Sequence, residues 1–333
     1  MMSAKTNCPT SGQRNDMVQM FRALSIIAVV MIHTTPNLEC QVYCRPFVNF
    51  SVATFLFLSG YLTKSENIDW QKLFRKRIIR VVIPYIIWTI LYSLPSVYHK
   101  GISSVFVNLL TAKAAAPLYY IFVYIQFVLL TPLLVRLAKS KYQVLGWLVS
   151  PVSVLLFKYI PLFGGIELNR YVTVIWSVSC LGWFTFYYIG LLLGNKIIDK
   201  RYSFRALSVL YLCSIIIQML EGYGWLLLSD GNCGTQLKLS SLLTSSLFCL
   251  IVYESLNRKA VGLKNRFVKL IGDYSFGIYL CHIMVMWILA LIPYYNMVAY
   301  PVSSAIVVLA SLACCYTADR VCGDRFSAWL GLR

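Results

Sequence analysis

Acidic side chains are scarce in this chain. Twelve Asp and Glu stand against thirty Lys and Arg, and charged residues of both signs make up only 13% of 333 positions. A water-soluble domain carries about 25% charged residues, so this shortage excludes an ordinary soluble fold. Histidine is scarcer still, with three in all. No Cys/His group has zinc-ligand spacing, so no metal centre is expected. No small-residue cleavage site follows the first apolar run, and that run is expected to stay as an anchor. Internal repeats and low-complexity tracts are absent. So is a matched pair of Gly/Pro-broken spans in two halves, the usual sequence pointer to a secondary transporter. The eleven cysteines do not form a disulfide framework. Cys180, Cys213, Cys249, Cys281, Cys314 and Cys315 fall within apolar runs, where Cys acts as a small hydrophobe. Only Cys40 and Cys44, four residues apart, share an outer loop where a bridge is open to them, and their spacing alone does not settle it.

What the chain has is apolar surface. Hydrophobic residues make up 59% and the mean hydropathy is +0.70, against about 45–50% apolar residues in soluble domains. Ten apolar spans can be read, at 18–34, 46–62, 81–98, 118–135, 142–158, 172–193, 206–221, 239–254, 270–290 and 301–317. Each approaches the roughly 20 residues a membrane-crossing helix needs. The expected fold is all-α, a polytopic bundle of about ten transmembrane helices. It divides into a cytoplasmic tail (1–17), a membrane domain (18–318) and a second cytoplasmic tail (319–333). The segment Ser103 to Pro117 reads as a short helix on the outer surface.

A net charge of +18 invites a nucleic-acid reading, but the placement of the charges argues against it. With both termini cytoplasmic, all but six of the thirty basic residues fall on the inner side; Arg45, Lys100, Lys113, Lys158, Arg170 and Lys238 are the exceptions. That bias is the positive-inside rule. The remaining basicity suits anionic lipid or an anionic cytoplasmic ligand.

Ionisable groups inside spans are costly and mark candidate sites. In "FRALSIIAVVMIHTTP" Arg22 and His33 are separated only by apolar and small residues. Eleven residues of helix place His33 roughly 16 Å beyond Arg22. His282 lies at a similar depth in the ninth span, so the two histidines are expected to line one cavity. A histidine near a helix end also serves simply to bond a carbonyl, but a neutral imidazole is the usual acceptor of a hydroxyl proton. Arg77 and Arg80 share a helix face at the inner surface. There two guanidiniums grip phosphate, or else snorkel to lipid headgroups. Ser59-Gly60 in "FLFLSGYL" allows either close backbone approach or a helix end. In "YSFGIYLCHIMVM", Ser275, Tyr279 and His282 form a polar stripe expected to face the interior, while Asp273 reads as a helix cap. Gln126 and the pair Tyr187-Tyr188 fit a wet interior.

Taken in order, these pieces resemble the acyltransferase-3 family of bacterial integral-membrane acyltransferases. The resemblance rests on Arg22 with ten residues before His33, "FLFLSGYL", Arg77-x-x-Arg80 followed by Pro84-Tyr85, "YYIFVYIQFVLLTPLL", "FYYIGLLLG" and "YSFGIYLCH". It implies a multi-pass protein of the bacterial cell (inner) membrane. Such a protein takes an acyl group, most often acetyl, from cytoplasmic acyl-CoA and delivers it to a hydroxyl of a surface polysaccharide or its lipid-linked precursor. His33 becomes the expected catalytic histidine, and Arg22, Arg77 and Arg80, with Ser59 and Gly60, the acyl-donor region. His282 and Tyr279 are expected to orient the acceptor or stabilise an oxyanion. Expected partners are acyl-CoA, the glycan acceptor and membrane lipid, with any glycan-assembly protein or second copy of the chain as a separate polypeptide. Many family members carry an acid three positions before the first Arg; here Gln19 stands there, with Asp16 a turn earlier. A transporter or exporter of surface glycan is the competing reading.

Overall fold

The computed structural model describes residues 11–66, 69–228, 231–258 and 265–332. Their regular structure is helical, with no strand. The chain opens with α1 (Ser11–His33). Then come α2 (Leu38–Cys44) and α3 (Phe50–Tyr61), with a 3-10 turn, Arg45–Phe47, between them. The 31-residue α4 (Trp70–Lys100) is followed by α5 (Ser103–Thr111) and α6 (Tyr119–Ala138). Next are α7 (Leu145–Val154) and α8 (Ile160–Gly164), joined through a π-helical turn, Leu155–Tyr159. Four more helices are α9 (Arg170–Ser177), α10 (Phe184–Gly194), α11 (Phe204–Leu227) and α12 (Leu239–Asn257). The last three are α13 (Arg266–Asp273), α14 (Ser275–Ala290) and α15 (Val302–Leu330).

Nine stretches among the described residues are long and apolar enough to cross a membrane. The pair α13 and α14, bent by 77°, makes a tenth. The protein is a multi-pass helical bundle. Several expected spans are nonetheless broken. The second begins at Leu38, not at 46, and Pro46 interrupts it in the 3-10 turn, where proline's missing N–H is tolerated. The ninth breaks at Tyr274. Before the break α13 carries Arg266, Lys269 and Asp273; after it α14 has no Asp, Glu, Lys or Arg. The charged half packs across the start of α1, where Lys269 pairs with Asp16 at 2.9 Å, and the apolar half enters the bundle.

α1 is the central post. It packs against α3, α12, α13, α14 and α15, and Ala23, Ile26 and Val30 have no exposed surface. The closest helix pair is α3 with α10. A Cβ on Gly60 would lie 2.2 Å from the Tyr187 carbonyl oxygen, and one on Gly190 2.2 Å from that of Phe57. Only glycine permits such an approach, as at small-residue interfaces between membrane helices generally.

The short helix expected within 103–117 is α5, which has no buried residue. It folds back on α4: Asn108 Nδ2 donates to Ser93 at 2.9 Å and the Tyr85 hydroxyl to the Leu109 carbonyl at 2.7 Å. Of the segment expected as a second tail, residues 319–330 belong to the last helix. α15 continues to Leu330 through a break at Gly323 (φ 72°), and the Trp88 indole donates to the Leu330 carbonyl at 3.0 Å. Of the N-terminal tail expected over 1–17, residues 1–10 lie outside the described residues.

Candidate functional site

Two cavities open along α1, one at each end of the Arg22–His33 stretch. The Arg22 cavity measures about 460 Å³. Its polar lining comes from Arg22, Ser59, Lys76, Arg77, Arg80, Tyr120, Tyr124, Asp273, Ser275 and Tyr279. α4 begins at Trp70, earlier than the span read from hydropathy, so Arg77 and Arg80 sit inside a helix and both side chains reach the same space. Arg77 Nη1 donates to Thr63 Oγ1 at 2.8 Å, which holds its fork at the cavity wall. Arg22 faces both Arg80 and Asp273. Four cations against one carboxylate make a site for a polyanion, and Phe55, Leu58 and Val81 supply apolar wall beside them.

The His33 cavity is smaller, about 330 Å³. His33 lies at its wall with Arg45, Lys158, Tyr119, Trp176, Trp183, Gln236 and, again, Tyr279. The rings of His33 and His282 are 5.3 Å apart, centroid to centroid. Of the two histidines expected to line one cavity only His33 does; His282 packs beside it, behind the wall. His282 has no exposed surface. Its Nδ1 lies 2.8 Å from the Tyr279 carbonyl oxygen and 3.0 Å from that of Ile278. Carbonyls only accept, so Nδ1 carries the proton and in the neutral ring Nε2 is the lone-pair nitrogen. Nε2 has no partner among the described residues.

Tyr279 belongs to both cavities. Its hydroxyl donates to the Pro117 carbonyl, and its ring lies 5.6 Å from that of Tyr120 and 6.3 Å from that of His282. The Ser275–Tyr279–His282 stripe therefore runs along α14 from the Arg22 cavity, past Tyr279, to the ring packed beside His33.

Other expected site residues fall elsewhere. Ser59 lines the Arg22 cavity, but Gly60 does not; its role is the close contact with α10. Asp273 is not a cap for α14. It ends α13, and the position before α14 is Tyr274, which makes no side-chain cap bond. Its carboxylate lines the cavity instead. Asp16 is taken by Lys269, not by Arg22. The "wet" residues are structural: Gln126 bridges the Val178 carbonyl and the Cys180 N–H. Tyr187 pairs with Thr131, and Tyr188 with the Gln143 carbonyl. Cys40 and Cys44 are free thiols, sulfur to sulfur 3.4 Å. Sequence reading passed over Tyr120 and Tyr124, whose i,i+4 spacing marks one face of α6. It also counted Arg45 and Lys158 only as exceptions to a charge rule.

A family model described as an acyltransferase domain matches residues 16–320. No curated protein and no solved structure matches the chain.

Proposed function

Because this chain belongs to the acyltransferase-3 family, we propose that it is a membrane O-acyltransferase moving an acyl group, acetyl first among candidates, from acyl-CoA to a hydroxyl of a cell-surface polysaccharide or its lipid-linked precursor. The observation that carries this reading is the pair of cavities sharing Tyr279, one lined by cations and the other by His33. By the positive-inside bias the Arg22 cavity opens to the cytoplasm, in the inner membrane of a bacterial cell. The family match supports acyl transfer over glycan export.

Arg77, Arg80 and Lys76 suit the phosphates of CoA, since guanidiniums bind phosphate through paired N–H groups. The pantetheine arm then runs past Ser59 and Tyr124 along the apolar wall, and the thioester arrives at Tyr279. In the His33 cavity the imidazole takes the proton of the acceptor hydroxyl as its oxygen attacks the thioester carbonyl. The tetrahedral intermediate collapses with cleavage of the carbon–sulfur bond, and the departing thiolate receives the proton back from His33. His282, held in one tautomer, fixes the imidazole beside it. Tyr279, which lines both cavities, is the side chain the two reactants share.

The test uses purified protein in lipid vesicles with labelled acetyl-CoA and the polysaccharide of the producing cell. Label should appear in an alkali-labile ester, and a strain lacking the protein should lose that ester. Folded protein that neither binds acetyl-CoA nor transfers label would refute the reading.

A further inference from the structure

The His33 cavity carries charge that the transfer chemistry does not require. Arg45 and Lys158 both line it, and no Asp or Glu does among the described residues. Arg45 is held there by the fold. It opens the 3-10 turn that breaks the second span, where a straight helix would carry the side chain elsewhere. Its Nη2 donates to the Ile32 carbonyl at 2.9 Å and its Nε to Thr35 Oγ1 at 3.4 Å. Both partners flank His33 in sequence. Those bonds leave the Nη1 face of the guanidinium for another acceptor, and no ion pair to Arg45 forms among the described residues. Lys158 comes from the π-helical turn Leu155–Tyr159, a device that displaces a side chain from its regular helical position and recurs at functional sites.

A half-buried guanidinium lacking a carboxylate partner inside a membrane bundle is unfavourable on its own. An anionic ligand relieves that. The rest of the wall says what kind. Trp183 stacks with Tyr119, and Trp176 with Phe157, at centroid separations of 6.0 and 4.7 Å. Flat aromatic faces with a few hydrogen-bonding groups, such as Gln236, suit a sugar ring. A volume of about 330 Å³ lies at the lower end of small-molecule sites, roughly 300–1,000 Å³.

We propose that the His33 cavity selects an acidic acceptor, a sugar residue bearing a carboxylate or phosphate that Arg45 and Lys158 bind while its hydroxyl meets His33. This rests on the acyl-transfer reading above and adds the chemical class of the acceptor. One charge-assisted hydrogen bond contributes about 1.5–3 kcal/mol, so the expected discrimination against a neutral sugar is on the order of ten- to a hundredfold.

The experiment compares three soluble acceptors on one ring: methyl β-glucuronide, glucose 1-phosphate and methyl β-glucoside. Full-length protein in nanodiscs is given acetyl-CoA, and kcat/KM is measured for each. At least one anionic acceptor should exceed the glucoside by about tenfold or more. Whether the glucuronide or the phosphate leads tells a uronic acid from a phosphate-bearing sugar. The double variant Arg45→Gln/Lys158→Gln should lower the anionic acceptors to the level of the glucoside. A wild-type protein that uses the glucoside as well as either anion overturns the proposal without any variant having to fold. So does a double variant that loses all three acceptors in equal proportion, which would make Arg45 a stabiliser of the reacting oxyanion. Equilibrium binding of the same acceptors without acetyl-CoA separates the two levels. Selective anion binding with no transfer defeats acyl transfer and leaves the anion site standing; no anion binding at millimolar concentration defeats the anion site.

Discussion

Four cations, Arg22, Lys76, Arg77 and Arg80, line the cavity at one end of α1, while a histidine, two tryptophans and two cations line the other. The first is larger, with Arg80 exposed and Arg77 held by Thr63. The second is smaller, and its groups are fixed: Arg45 by two hydrogen bonds, His282 by two carbonyls, the tryptophans by stacking. The contrast suggests a division of labour. A mobile polyanion needs charge and room, whereas a reacting hydroxyl needs groups held in place. α1 gives each cavity one ionisable member, Arg22 and His33, eleven residues apart.

If that division holds, substitutions at the two ends should fail differently. The largest effect belongs to His33→Ala. Removing a general base lowers the rate by about 10²–10⁴-fold, and acyl-CoA binding should survive because His33 lies outside the Arg22 cavity. Transfer in membranes with matched protein levels measures the first, and a binding assay the second. Transfer close to wild type would end the role given to His33. Next in size is Arg77→Ala with Arg80→Ala. Hydrogen bonds to charged groups contribute about 1.5–3 kcal/mol each, so acyl-CoA affinity should drop by about a hundredfold or more, and should fall further with added salt because part of the site is exposed. An affinity that neither substitution nor salt moves would remove the donor from this cavity.

A third substitution strikes neither ligand. Gly60→Ala puts a Cβ 2.2 Å from the Tyr187 carbonyl oxygen, and overpacking of this kind costs about 1–3 kcal/mol. Thermal unfolding in detergent should show the loss. Ser59→Ala, on the cavity side of the same helix, should unfold like the wild type. Equal melting of both would mean that α3 and α10 are not in close contact.

The adjacent pair Ser59 and Gly60 shows where sequence reading stopped. A serine-glycine step at a helix end marks a small-residue spot, but which neighbour it admits is decided by α10, more than a hundred residues away. The spans were legible because hydropathy is local and cumulative. The common depth of His33 and His282 was legible because helix rise converts residue counts into depth. The bend at Tyr274 was not, since the span read as 270–290 takes in only the last four residues of α13 and leaves its charged start, Arg266 and Lys269, outside. Arg45 was hidden by the rule that explained the other charges: an outer arginine looks like an exception to topology until the 3-10 turn around Pro46 carries it beside His33.

The smallest effect expected is the most specific to the comparison. Tyr279 lines both cavities, and its hydroxyl is tied to the Pro117 carbonyl. Tyr279→Phe keeps the ring and removes the tie, a change of about 0.5–1.5 kcal/mol. A ring released from Pro117 screens the thioester less well from water in the His33 cavity. Acyl-CoA hydrolysis without acceptor should therefore rise by a few fold, while transfer to acceptor falls slightly. The ratio of the two rates carries the information. If hydrolysis and transfer instead fall together, Tyr279 acts on the reacting carbonyl itself, and the two cavities are joined by a catalytic hydroxyl, not divided by a wall.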